Sequence, residues 1–281
     1  MKGRPYWILF AGLVLVSTSG PFMVASGMPA FWIVVLRMSI AAPIFFVWAR
    51  VAGFSLDPRP VLRPLLLGAL LLGAHFCLWI KAFELTDYAS NLLLLVFQPV
   101  SAAFLGALLL GEVITRRTWI SLALAAGGLF IITGGDLSLG PRALVGDLFC
   151  LAGDLAIALF YIATRPARAK LPLPSFMAWT MLFGAILTLP APLLAGDSLA
   201  HVTPTGWGWL LAVALVTTVG GHGLLNLAAS RVRYFALNLV IVLEPAIGIA
   251  IGAMLFPVEL RPLQIAGGAL LSTAVLVGLK E

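Results

Sequence analysis

Along this chain apolar residues come in long unbroken runs rather than in alternation. Ten such runs, at residues 6–26, 31–52, 62–83, 88–110, 118–135, 143–164, 173–195, 206–230, 235–256 and 262–279, are divided by short segments rich in charge, proline and glycine. Each is near the roughly 20 residues that a helix needs to cross about 30 Å of hydrocarbon. The ten-residue alternating stretches of an outer-membrane barrel are absent. The pattern predicts an all-α integral membrane protein with ten transmembrane helices. The short connections leave no room for a separate soluble domain, which argues against a receptor or a tethered enzyme.

Composition agrees. The 281 residues are 62% hydrophobic and 10% charged, with mean hydropathy +1.10, whereas soluble domains carry about 25% charged residues. The net charge of +6 is spread one to three residues at a time, so it forms no contiguous patch for nucleic acid. Its distribution instead sets orientation, because cytoplasmic loops concentrate Lys and Arg. With the N-terminus inside, Lys2, Arg4, Arg50, Arg59, Arg63, Arg116, Arg117, Arg165, Arg168, Lys170, Arg231, Arg233 and Lys280 are cytoplasmic; of the 17 cations only Arg142 and Arg261 fall outside. Glu84, Asp87, Asp136, Asp197 and Glu259 lie on the outer side. Both termini are then cytoplasmic, and the stretch after Lys2 and Arg4 is a retained first span rather than a cleaved signal peptide. Cys77 and Cys150 sit inside apolar runs and read as core residues, not as a disulfide or a metal site.

The chain also repeats itself. Phe97-Gln98-Pro99-Val100 returns as Leu243-Glu244-Pro245-Ala246 at an offset of 146 residues, with Ala82 and Tyr88 answered by Ala228 and Tyr234, and Ser121 and Gly128 by Gly267 and Ala274. The two halves are residues 1–138 and 142–281. Five spans per half is an odd number, so the second copy enters the membrane from the opposite side. Inverted repeats of this kind build secondary transporters, with substrate near the midplane between the halves. A duplication that left only a structural bundle is the competing reading.

With Arg37 early in the second span, Ala82-Phe83-Glu84-Leu85-Thr86 closing the third, Pro99 to Gly111-Glu112 in the fourth, and Leu243-Glu244-Pro245 and Gln264-Ile265-Ala266-Gly267 in the second half, the chain resembles the drug/metabolite transporter superfamily, in particular its ten-span EamA branch. It departs from that pattern at Pro257-Val258-Glu259, where Gly-Glu is usual, and at Val16-Ser17-Thr18, where a Trp pair is common. The resemblance implies a cavity formed mainly by spans 1, 3, 4, 6, 8 and 9. It also implies small metabolites as substrates, with amino acids or amphipathic amines leading and export as the direction.

Polar groups at mid-depth are costly and are functional candidates by default. Glu244 lies about ten residues into the ninth span, and Pro245 beside it should release the Ile241 carbonyl; Pro99 should likewise release Leu95 beside Gln98. These two proline kinks each present an acceptor side chain and a free carbonyl, suited to an ammonium or another donor. Glu244 is also a candidate proton carrier; the competing reading is a protonated carboxyl that locks the halves together. Asp147, Asp154 and Tyr161, spaced by seven, form one polar stripe on the sixth span, though either acid could instead pair with Arg37 or Lys81. His75 shares a helix face with Trp79, and His222 with Asn226, by i,i+4 spacing; Asn91 and Gln98 continue a polar face on the fourth span.

Other features read as architecture: a GxxxG pattern at Gly248 and Gly252 with its echo at Ala102 and Gly106 for close packing, Gly127-Gly128 and Gly267-Gly268 for tight packing or a homodimer contact, and interfacial Trp7, Trp32, Trp48, Trp119, Trp207 and Trp209. Glu112 is placed to pair with Arg116. Enzyme chemistry has no support. Asp147 and Asp154 are about 10 Å apart on one helix, too far to share a proton, and no zinc-protease, serine-hydrolase or phosphate-loop motif occurs.

The expectation is an inner-membrane, alternating-access transporter without cofactor or metal. Glu244 and Gln98 hold the polar end of the substrate, Trp79, Phe76 and Tyr161 line its apolar part, and Asp154 or Glu244 exchanges a proton. His75, Asn91 and Asn226 complete the path. A proton-independent facilitator, a cationic-drug exporter and a non-transporting membrane scaffold are the alternatives.

Overall fold

In hydrocarbon every backbone N–H and C=O must be paired within its own segment, so apolar runs fold as helices. The computed structural model describes residues 4–95, 97–136, 140–257 and 261–278; Lys2, Glu259 and Lys280, assigned above to loops, lie outside them. Helix dominates the described residues, and no strand occurs among them.

The first run is two helices, α1 (Arg4–Val16) and α2 (Ser19–Ser26), followed by α3 (Ala30–Val51) and α4 (Leu62–Ala82). The fourth run is again divided, into α5 (Tyr88–Leu94) and α6 (Phe97–Leu110), and α7 (Arg116–Asp136) follows. The second half continues with α8 (Pro141–Ala163), α9 (Arg165–Lys170), α10 (Leu173–Thr188) and α11 (Pro190–Ala195). Next come α12 (Pro204–Ala212), a π-helical stretch (Val213–His222) and α13 (Gly223–Ala229). The chain ends with α14 (Tyr234–Val240), a 3₁₀ turn (Ile241–Leu243), α15 (Glu244–Leu255) and α16 (Pro262–Gly278).

Local chemistry sets these ends. The Asp87 carboxylate caps α5 by accepting from the Ala89 and Ser90 amides at 3.0 and 3.2 Å, and Thr203 caps α12 through Gly206 at 3.1 Å. Gly27 and Gly196, at φ 62° and 69°, end their helices in the left-handed region that a side chain disfavours.

Eight helical stretches among the described residues are long and apolar enough to cross a membrane, where ten were expected. The runs at 118–135 and 262–279 fall on α7 and α16, which are outside the eight. Helix α16 has 17 described residues, and α7 has Arg116 and Arg117 at one end and Asp136 at the other.

The tightest pairings join the two halves of the sequence. Helix α1 packs on the π-helical stretch and α13, α3 on α10, α4 on α8, α6 on α14 and α7 on α16. Contacts at the 146-residue offset are reciprocal. Ser121 Oγ donates to the Ala274 carbonyl at 2.7 Å, while Gly128 abuts the Gly267 carbonyl. The contacting positions rise along α7 as they fall along α16, so this pair is antiparallel. Tyr88 fills the space at Gly252 and donates to the Gly248 carbonyl at 2.9 Å; its mate Tyr234 packs on Gly106 and donates to the Ala158 carbonyl at 2.8 Å.

These contacts bear on the glycines singled out by sequence. Gly248 does lie close to a neighbouring backbone, with the Ser17 carbonyl 3.3 Å from where a Cβ would stand, whereas Gly252 leaves room for the Tyr88 ring. Gly128 and Gly267 serve the expected tight packing, against each other. One correction concerns Glu112, whose carboxylate reaches Arg165 at 4.0 Å rather than Arg116.

Candidate functional site

Where the divided helices meet, a cavity of about 30 Å³ has His75, Phe76, Trp79, Gln98, Tyr161 and Glu244 in its lining, together with His222 and Ser19. Six of the nine path residues expected from sequence therefore share one site. All are buried. The wall is aromatic: the His75 and Trp79 rings stack at 6.1 Å, and Phe76 meets His222 edge-on at 5.1 Å. His75 Nδ1 donates to the Gly153 carbonyl at 2.9 Å, which fixes the ring and leaves Nε2 as its second polar atom. The Trp79 indole N–H and His222 Nδ1 have no hydrogen-bond partner.

The proline breaks behave differently from expectation. Pro99 and Pro245 do remove the i→i−4 donor, but neither carbonyl is left free. The Gln98 amide donates to Leu95 at 3.0 Å, and the Glu244 amide donates to Ile241. Each span tightens by an i→i+3 bond and restarts, with proline in the first turn of the new helix where its missing N–H costs least. The acceptor at each break is thus the side chain alone. That of Gln98 is partly committed, since its Nε2 donates to Asn238 Oδ1 at 2.7 Å, while Asn238 Nδ2 donates to the Tyr234 carbonyl at 2.8 Å.

Asn91, Asp154 and Asn226 lie off the cavity wall. Asn91 Nδ2 donates to the Trp79 carbonyl at 3.2 Å, and Asn226 Nδ2 donates to the His222 carbonyl at 2.9 Å; both brace residues of the wall. Asp154 is 0% exposed, with no hydrogen-bond partner on either oxygen. Neither acid of the stripe pairs with Arg37 or Lys81. Asp147 accepts from Thr86 Oγ1 at 2.8 Å, and Lys81 binds Glu84.

Arg37 is the residue that the sequence left out of the site. It is 0% exposed, and its partners are neutral: Nε donates to Thr218 Oγ1 at 2.9 Å, and Nη1 to Ser19 Oγ at 3.4 Å and to Met23 Sδ at 3.8 Å. Its guanidinium lies 4.1 Å from the centre of the Phe76 ring. Nη2 has no partner. Glu244 interacts electrostatically with both Arg37 and Asp154, so one buried cation stands against two buried acids. Thr218 reaches Arg37 because the π-helical turn re-aims it; its hydroxyl also donates to the Val213 carbonyl, five residues back, at 2.9 Å.

Larger hollows also occur. One of about 520 Å³ is bounded by Met23, Ile33, Phe83, Glu84 and Asp197; one of about 270 Å³ lies by Glu112, Arg233 and Phe235. Ser19 and Phe76 on the cavity and Met23 on the larger hollow all touch Arg37, which itself lines neither space.

The sequence profile of the EamA-like transporter family matches residues 4–134 and 144–279. The chain belongs to the EamA-like transporter family. Among curated relatives, this EamA-like chain is 25% identical over 203 residues to an uncharacterized transporter of Archaeoglobus fulgidus, covering 72% of this chain and 71% of the relative. It is 28% identical over 198 residues to the pseudopaline exporter CntI of Pseudomonas aeruginosa, covering 69% and 66%. It is 26% identical over 194 residues to an Escherichia coli protein named "Probable amino-acid metabolite efflux pump", covering 66% and 65%. A crystal structure superposes with a TM-score of 0.77 over 98% of this chain and 96% of that one; at 17% identity the likeness shows the fold.

The EamA-like chain carried signals for the residues that sequence reading passed over. Apart from Arg50 at its end, Arg37 is the sole charge within the run at 31–52, and Thr217-Thr218-Val219-Gly220-Gly221 interrupts an apolar run with polar and small residues. What was not readable is that a π-helical turn brings Thr218 onto Arg37, 181 residues away.

Proposed function

We propose that this protein is an alternating-access exporter of small metabolites that carry an amine, and that Glu244 receives the amine in the central cavity. The observation that carries this reading is the charge arrangement: Glu244 is buried and interacts electrostatically with one buried cation, Arg37, and with a second buried acid, Asp154. The second negative charge must be balanced by a proton or by a cationic group, since an uncompensated charge at this depth is costly. The aromatic wall of Phe76, Trp79 and Tyr161 suits the apolar part of such a solute. Asp154 carries the proton that exchanges with it.

Ten spans in two inverted halves, residues 1–138 and 142–281, supply the machinery, with both termini on the cytoplasmic side of the inner membrane. Three observations support this: the family profile matches two stretches that divide the chain there, α7 and α16 run antiparallel, and the Tyr88 and Tyr234 contacts are reciprocal. A cavity of about 30 Å³ is far smaller than a solute site needs, so the halves must part to admit one. Rocking one half against the other opens it, in the manner of other inverted-repeat carriers. The names of an exporter and an efflux pump among the relatives support the outward direction.

The test is counterflow into proteoliposomes with labelled amino acids and amines, with and without a pH gradient. Exchange of amine-bearing solutes that responds to the gradient is expected; no exchange of any of them overturns the reading.

A further inference from the structure

We propose that Arg37 is a second recognition pole, which takes a carboxylate of the transported solute, so that the cavity selects zwitterions over simple amines. This rests on the transport reading above and narrows its substrate class. Buried arginines are normally completed by an acid, because a guanidinium stripped of water needs both charge and geometry returned to it. Among the described residues, no carboxylate lies within ion-pair distance of Arg37. Two hydroxyls, a sulfur and the face of Phe76 hold it, and Nη2 donates to nothing. These neutral contacts fix the plane of the guanidinium without neutralising it. That is how a fork is kept ready for a ligand with two parallel oxygens.

Position supports the same assignment. Ser19 and Phe76, which touch Arg37, line the cavity that Glu244 faces; Met23, which also touches it, lines the 520 Å³ hollow. A solute whose amine lies at Glu244 then has its opposite end toward the Ser19 and Phe76 side of the cavity, with Arg37 directly behind those two residues. When its carboxylate takes the guanidinium, it competes with Ser19 Oγ and Met23 Sδ, the two weakest contacts at 3.4 and 3.8 Å. Both belong to α2, the short helix beyond the break in the first span, so occupancy of the site loosens the hold of Arg37 on that helix.

The experiment compares labelled leucine and methionine with their methyl esters and their decarboxylated amines, in counterflow by the purified full-length chain. The free amino acids are expected to exchange roughly 10–100-fold faster than the esters or amines, the discrimination typical of a charged hydrogen-bond partner. Arg37→Gln should abolish that preference by slowing the free acids to the rate of the esters, and Arg37→Lys should restore part of it. Equal exchange of acid and ester by the unaltered chain overturns the proposal and leaves the transport reading standing, as does an Arg37→Gln variant that still prefers the acid. Exchange of none of the three classes overturns both. The comparison on the unaltered chain holds even where Arg37→Gln does not fold.

Discussion

Replacing Gly128 with alanine probes the contact between the two halves at its tightest point. A Cβ built there would lie 2.6 Å from Leu271 Cδ2 and 2.8 Å from the Gly267 carbonyl oxygen. The leucine tip can rotate away; the carbonyl belongs to a helix backbone and cannot. Alanine gains about 1 kcal/mol over glycine in helix propensity, and overpacking costs about 1–3 kcal/mol, so the net is a loss of up to about 2 kcal/mol, against a gain where nothing is in the way. Two comparisons fix the sign. At Gly184 the added Cβ meets only the flexible end of Met38, at 2.0 Å from Cε, so Gly184→Ala should be near neutral. At Gly208 nothing lies within 4 Å, so Gly208→Ala should gain up to about 1 kcal/mol. The assay is the thermal midpoint of the detergent-purified protein, at about 2–4 °C per kcal/mol. Gly128→Ala should melt several degrees below the unaltered chain and Gly208→Ala at or above it. A Gly128→Ala protein as stable as the Gly208→Ala protein would refute the reciprocal packing of α7 and α16.

Three more predictions follow from the site and its frame. Asp154→Asn should leave the protein folded, since neither carboxylate oxygen has a partner to lose, yet counterflow should no longer respond to a pH gradient; a retained response assigns the proton elsewhere. Gln98→Leu and Asn238→Leu should be non-additive in a double-mutant cycle, with a coupling near the 0.6 kcal/mol average of membrane hydrogen bonds and below about 1.7 kcal/mol; additive effects on the melting midpoint would remove that bridge. Tyr88→Phe and Tyr234→Phe should each cost about 1 kcal/mol, because each removes one hydroxyl bond to a carbonyl of a facing helix, Gly248 and Ala158 respectively; an unchanged melting midpoint in either variant would remove that bond.

Much of this was legible from residue types alone. The apolar runs gave the helices, and the 146-residue offset pointed to Tyr88, Tyr234, Ser121 and Gly128 before their contacts were known. Six path residues meet in one cavity because Glu244, Gln98, Tyr161 and His75 are polar groups at similar depth on different spans, and burial leaves such groups only the interior. What stayed hidden depended on hydrogen-bond bookkeeping in three dimensions. A proline predicts a lost donor, but not that the Gln98 and Glu244 amides would step in at i→i+3. Gln98 looked free for substrate until Asn238 was seen to hold it. Arg37 looked like a partner for an aspartate, because a charge count says nothing of the neutral cage formed by Ser19, Met23 and Thr218. The expected Glu112 and Arg116 pair assumed that sequence neighbours meet, whereas Arg165 arrives from the other half.

The central claim is that a buried carboxylate at Glu244 is what the transported solute binds. It is met most directly by counterflow of labelled amino acids and amines into proteoliposomes holding either the unaltered protein or Glu244→Gln. That substitution keeps the volume, removes the charge and replaces one acceptor oxygen by an amide donor. Exchange by the unaltered protein and a loss of at least about 30-fold in the variant, with its melting midpoint unchanged, is the predicted result. Equal rates in the two proteins would contradict it.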